Sequence, residues 1–329
     1  MRKRIWLSLT ILIWLTVPLS VHATTGDAGK HQIEVISEVV ITDQTRNRKI
    51  PLKIYLPAEG GPYPVILYSH GLGGSKDGKR YLGKFWASHG YVGIFMTHFG
   101  SDRSVMSRDK SREENMAALR QATRNPKTLI DRPRDVTSVL NQISEIERMA
   151  PELKGKLDAN RIGLSGHSFG ANTTLISAGG WADFTKRRFQ KDFSDPRPIA
   201  FLAMSPQGGR PNQNPKSLFG KITRPMMTMT GSNDTSPIRP GETGKSRLKP
   251  YLNMPAGDKY SLWMEGAYHW TFGDGRANRT PDPKLHLYIK ISSLAFWDAY
   301  LKGSESAKQF LKSRAIDKMS EGQARLDFR

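Results

Sequence analysis

One serine in this sequence stands between two glycines, in Gly166-His167-Ser168-Phe169-Gly170. Glycine two residues before and two after a serine suits a sharp turn from strand to helix, where a β-carbon at either position would strike neighbouring backbone. Such a turn lifts the hydroxyl above a sheet edge, where it can act as a nucleophile. A serine hydroxyl is too weakly acidic to attack a carbonyl carbon unaided, so it needs a base, and the base needs a group to orient it. After a serine on such a turn these follow in the order acid, then histidine. His269 and His286 are the histidines after Ser168. His286 falls within the last helical pattern, which makes His269, in Glu265-Gly266-Ala267-Tyr268-His269-Trp270, the expected base. Asp234, in Gly231-Ser232-Asn233-Asp234-Thr235, follows a strand-like run and is the expected acid. Asp258 and Asp274 lie nearer the histidine in sequence but not after such a strand. The bland alternatives are a glycine-rich turn, a loop histidine stacked on Trp270 and a helix-capping aspartate.

The oxyanion formed by such an attack needs two preorganised backbone donors. The Phe169 amide, next after the nucleophile, is one. The Leu72 amide, in His70-Gly71-Leu72-Gly73-Gly74, is the other expected donor, since its glycine neighbours let backbone approach a substrate closely. A phosphate-cradling loop is excluded because the lysine and hydroxyl spacing it requires is absent.

These residues must be held by regular elements. Alternating apolar residues in Lys49–Leu56, with Glu34–Ile41 before it, predict half-buried antiparallel strands. Short apolar runs at Val65–Ser69, Tyr91–Met96, Arg161–Leu164, Ile199–Met204, Met226–Thr230 and Tyr260–Met264 read as buried strands. Helical spacing covers Tyr81–Ser88, Val136–Met149, Ala171–Ala178 and Leu285–Leu301, and Gly100–Lys127 is a long polar insertion with no readable pocket. Buried strands alternating with helices imply an α/β fold, a mostly parallel central sheet with helices on both faces.

Arg2, Lys3 and Arg4, then the apolar run Ile5–Leu19 and Val21-His22-Ala23, predict a signal peptide over 1–23 and export to the periplasm or medium. Residues 24–33 are expected to be disordered, 34–303 to form one catalytic domain, and 304–329 to be a tail. Cysteine is absent, which excludes thiol catalysis, thiolate zinc sites and iron–sulfur clusters. The formal net charge is +20, a balance that attracts anionic surfaces. The basic residues are dispersed and no nucleic-acid-binding motif accompanies them, so nucleic acid is not expected as a partner. Nothing here sets an oligomeric state.

The quoted motifs resemble the α/β-hydrolase superfamily, and more narrowly the platelet-activating-factor acetylhydrolase and dienelactone-hydrolase-like group. The similar segments are Ser69-His70-Gly71-Leu72-Gly73, Ala87-Ser88-His89-Gly90-Tyr91-Val92, Ser101-Asp102-Arg103-Ser104, the Ser168 pentapeptide and Phe296-Trp297-Asp298-Ala299-Tyr300-Leu301-Lys302. The resemblance implies an α/β-hydrolase fold, with Ser168 as nucleophile, His269 as base and Leu72 and Phe169 at the oxyanion positions. One departure matters. The acetylhydrolases carry the acid after the strand that follows the nucleophile helix, where this chain reads Ala203-Met204-Ser205-Pro206. Asp234, one strand later, is where dienelactone hydrolases and bacterial polyester hydrolases carry it. The expected activity is therefore hydrolysis of a carboxylic ester, small or polymeric, through an acyl-enzyme, with no metal or organic cofactor. An acyltransferase, a peptidase, or a non-catalytic binding protein on the same scaffold are the alternatives.

Overall fold

Among the described residues, nine strands form a single sheet in the order β1-β2-β4-β3-β5-β6-β7-β8-β9. The computed structural model describes residues 26–180, 192–210, 212–236, 238–275 and 279–329; the expected signal peptide lies outside them. The first two strands, β1 (Ile33–Asp43) and β2 (Arg48–Pro57), form an antiparallel hairpin. In β2, Ile50, Leu52 and Ile54 point into the core while Lys49 is exposed and Lys53 half-buried, and from Tyr55 on both faces are covered. The central strands β3 (Tyr63–Ser69), β4 (Val92–Met96), β5 (Leu157–His167), β6 (Pro198–Met204), β7 (Met226–Asn233) and β8 (Lys259–Tyr268) run parallel. Their apolar runs are nearly continuous because both faces are covered.

The helices are α1 (Arg80–Ser88), α2 (Arg112–Arg124), α3 (Pro126–Asn141), α4 (Ile143–Met149), α5 (Phe169–Ser177), α6 (Pro215–Phe219), α7 (Lys249–Asn253), α8 (Pro283–Leu301), α9 (Glu305–Lys312) and α10 (Ala315–Met319). On one face Trp86 of α1 and Phe296 and Trp297 of α8 pack over Phe95, Met204 and Tyr260. On the other, Val136 and Val139 of α3 and Ala171 and Leu175 of α5 pack over Ile54, Leu164 and Phe201.

Four expectations need correction. The insertion 100–127 holds α2, begun by a reciprocal cap in which Ser111 accepts from the Glu114 amide and Glu114 from the Ser111 amide. The helical pattern Val136–Met149 is two helices, and the first starts ten residues earlier, at Pro126, behind an Asn125 side-chain cap. Of the segment 24–33, expected to be disordered, residues 26–33 are described, and Gly29 is tied down: its amide donates to Ser88 Oγ at 2.9 Å. The tail expected over 304–329 instead builds α9, α10 and β9 (Ala324–Phe328), which pairs antiparallel with β8. Its alternation, with Ala324 and Leu326 buried and Arg325 exposed, is too short to stand out from sequence alone.

Candidate functional site

The strand β5 ends at His167 and helix α5 begins at Phe169, leaving Ser168 alone on the turn with φ 56 and ψ −113. A non-glycine residue at positive φ is strained by about 1–3 kcal/mol and persists only where its surroundings impose it. The flanking glycines show why the chain can turn here. A Cβ on Gly166 would lie 2.3 Å from the Gly170 carbonyl oxygen, and one on Gly170 would lie 1.9 Å from the Ser69 carbonyl oxygen. Both positions are closed to any side chain.

The structure brings the three expected side chains into one line. His269, on the turn after β8, has its Nε2 2.9 Å from Ser168 Oγ. Its Nδ1 lies 2.8 Å from Asp234 Oδ1, at the end of β7. Burial alone would raise the Asp234 carboxyl; the hydrogen bond from His269 and the charge of Arg247 outweigh it and hold the group below the usual carboxylate range. Asp258 is elsewhere, 3.5 Å from Lys308 Nζ. Asp274 accepts the Tyr81 amide at 3.0 Å. His286 sits in α8, stacked on Tyr81 at 4.1 Å.

Sequence reasoning missed two residues at the acid. Ser205, in the place read as lacking a carboxylate, puts its hydroxyl 2.8 Å from both Asp234 Oδ1 and His269 Nδ1. It too has positive φ, 54. Arg247, 1% exposed, donates from Nε to the Asp234 carbonyl at 2.9 Å and from Nη1 to the Ser205 and Pro206 carbonyls, both at 3.1 Å. The imidazole therefore leans on a carboxylate that is itself fixed from two sides. A non-acidic serine and an arginine in a polar run carry no pattern that would mark them.

The loop bearing Leu72 is held from below by Arg132 of α3. Its guanidinium donates to Ser69 Oγ at 2.9 Å, Ser101 Oγ at 2.7 Å, Thr173 Oγ1 at 2.9 Å and the His70 carbonyl. It also lies 4.7 Å from the Phe169 ring centroid. One cation thus ties together the two segments whose amides, Leu72 and Phe169, flank Ser168. Beside it His98 lies 2.9 Å from Ser69 Oγ and 2.9 Å from Asp135, which Arg46 and Arg48 also hold. The His98 amide donates to His70 Nε2, and His70 Nδ1 donates to the Gly71 carbonyl. Burial, together with the charge of Arg132, pushes His70 well below its ordinary value, so that ring is neutral.

Ser168, His269, Leu72 and Trp270 open onto a cavity of about 1260 Å³. Met116 of α2 and Arg103 also line it, so the polar insertion, unreadable as sequence, forms part of its wall. Among the described residues, no group of histidines and carboxylates could hold a metal ion, and no helix is long and apolar enough to cross a membrane.

A mostly parallel sheet with helices on both faces, and a serine on the strained turn between a central strand and the helix behind it, define the α/β-hydrolase fold. Within that class, the profile of the platelet-activating factor acetylhydrolase, isoform II, family matches residues 27–192, and the chain belongs to that family. It is 29% identical over 154 residues to a platelet-activating factor acetylhydrolase of Cavia porcellus, a match covering 39% of this chain and 34% of that protein. It is likewise 29% identical over 145 residues to one of Bos taurus, covering 35% and 32%. The chain thus spans about a third of the length of these curated relatives.

Proposed function

We propose that this protein is a serine hydrolase of carboxylic esters, with Ser168 as nucleophile, His269 as general base and Asp234 as its orienting acid. The observation that carries the reading is the unbroken relay from Ser168 Oγ to His269 Nε2 and from His269 Nδ1 to Asp234, 2.9 and 2.8 Å. Ser168 Oγ bonds to the acyl carbon as its proton passes to His269. The tetrahedral oxyanion is held by the Leu72 and Phe169 amides. The ester C–O bond then breaks, and the imidazolium returns its proton to the leaving alcohol. Water attacks the acyl-enzyme with the same base, releasing the acid and Ser168. An ionised Asp234 stabilises the imidazolium in both halves. The relatives' names give them an acetylhydrolase activity on platelet-activating factor. Here the acid stands one strand later than in that group, so the ester bond is carried over and that particular lipid is not.

The test is hydrolysis of short-chain p-nitrophenyl esters. Ser168→Ala lowers kcat at least about a thousandfold while keeping the fold, because the members of such a triad act as a unit. Asp234→Asn presents the wrong partner to His269 and lowers kcat by orders of magnitude. Hydrolysis retained in purified Ser168→Ala overturns the assignment. We further propose export after cleavage behind Ala23, supported by the basic and apolar leader; N-terminal sequencing of the mature protein reads it directly.

A further inference from the structure

The reading above leaves the substrate class open, and the cavity narrows it. Lys79 immediately precedes α1 and has φ 61 and ψ 36, a left-handed conformation unusual for lysine. It is 8% exposed and lines the cavity with Ser168 and His269. Its ammonium lies beside Gly273, 3.6 Å from the point a Cβ there would occupy. Gly273 closes the turn that begins at His269, so the cation faces the element carrying the base. Among the described residues Lys79 has neither a hydrogen-bond acceptor nor an ion-pair partner. Its Nζ is not among the buried atoms that lack a partner, so the tip of an otherwise buried side chain opens onto the cavity.

The surroundings do not supply that partner. Among the described residues two carboxylates line the cavity, and neither forms an ion pair with Lys79. Asp77 is bound to Lys53, and Asp274 takes the Tyr81 amide and stays beyond ion-pair distance of Lys79. The exposed rim adds Arg80, Arg103, Arg112 and Arg279, none of which pairs with a carboxylate among the described residues. A basic chain has basic surfaces everywhere, so the rim alone would say little. A lysine buried along its length, whose unpaired ammonium opens onto the cavity beside Gly273, says more. Low-dielectric walls concentrate the field of such charges and draw in counter-charged solutes.

We infer that the physiological ester carries an anionic group, a carboxylate or a phosphate, that binds Lys79 while the scissile carbonyl lies against Ser168. This rests on the hydrolase reading for its chemistry and adds the substrate class. Burial, only partly offset by Asp274, already pushes the Lys79 ammonium down to about 8; a bound anion supplies the missing counter-charge.

The experiment compares esters matched in size and differing in charge. Ethyl butyrate against monoethyl succinate tests a carboxylate on the acyl side. Butyrylglycerol against butyrylglycerol phosphate tests a phosphate on the alcohol side. We expect the anionic member of at least one pair to be preferred by about tenfold or more in kcat/KM, the worth of one hydrogen bond to a charged group. The pair that responds identifies which anion is used. In Lys79→Met that ratio falls towards one, and in Lys79→Arg most of it is kept. Calorimetric binding of the same four compounds to Ser168→Ala reads the preference without turnover. If no ester is hydrolysed yet the anions bind more tightly, the hydrolase reading falls and the anion site stands. Neutral and anionic members handled alike in both pairs overturn the inference, as does a preference that survives intact in folded Lys79→Met.

Discussion

Two buried cations flank the serine, and they are provided for in opposite ways. Arg132, 1% exposed, gives its donors to four neutral oxygens and lies over an aromatic ring. Lys79, 8% exposed, is offered no acceptor among the described residues. A planar fork of donors can be satisfied inside a folded protein by fixed oxygens, which makes arginine a fastener. A compact ammonium that opens onto a cavity without a carboxylate partner, beside the turn that carries His269, is placed to meet an incoming anion. The lesson of the pair is that a cation held for structure has its donors taken up internally, and one held for binding keeps them free.

The largest test of this contrast removes the fastener. Arg132→Met leaves four oxygens without their donor and frees the backbone on both sides of Ser168. We expect a loss of roughly 3–5 kcal/mol in denaturant unfolding. The variant's kcat also falls by about a hundredfold, because the Leu72 and Phe169 amides are no longer held. A variant of near-normal stability and rate would mean that the loop is fixed by the His98–Asp135 network alone.

Lys79→Met is expected to act with the opposite sign on stability. The ammonium titrates at 10.5 when unfolded and at about 8 when folded. Below pH 8 it is charged in both states, and the folded state bears the whole penalty, worth roughly 3 kcal/mol. Between 8 and 10.5 the unfolded chain holds the proton that the folded one has released, so the wild type gains stability as pH rises. Unfolding curves should therefore show the methionine variant ahead at pH 7 and the gap closing by about pH 10.5. Equal stability of the two at pH 7 would show that the ammonium is already solvated or paired.

Smaller effects sharpen the picture. Ser205→Ala removes one hydroxyl from the Asp234–His269 contact and should lower kcat by about tenfold with KM little changed. A change in KM alone would place Ser205 in substrate binding instead. Arg103→Gln with Arg112→Gln should alter stability by less than about 0.5 kcal/mol, as exposed substitutions do. It should slow only the anionic ester, by about threefold, an effect erased at high salt because screening shortens the field to about 3 Å at 1 M. A slowing that persists in salt would assign these arginines a direct contact.

What was legible in the sequence follows from which interactions are local. The Ser168 turn was readable because two steric closures, at Gly166 and Gly170, leave a fixed spacing in the chain. Asp234 and His269 were readable because each follows a buried apolar strand, and parallel strands deliver their ends to one edge. The strands from β3 to β8 were found for the same reason. Arg132, Ser205 and Arg247 were not, because their roles depend on partners distant in the chain, and Lys79 was not, because only the folded cavity marks it; the sequence neighbours of all four are ordinary. α2 escaped notice because its surface is mostly polar and its start is set by a side-chain cap. β9 escaped because five residues with two buried side chains resemble any loop.

That last strand has a consequence for how the protein is made. β8 delivers His269, and its free side is covered by Ala324–Phe328. As the chain is threaded out N-terminus first, β8 emerges well before its neighbour. Until β9 docks, a strand whose Tyr260, Leu262 and Met264 are destined for the core offers an unpaired edge to any other chain nearby. Such edges are where nascent proteins join one another. A chain cut before residue 324 should therefore accumulate as aggregate even though every residue of the relay is present.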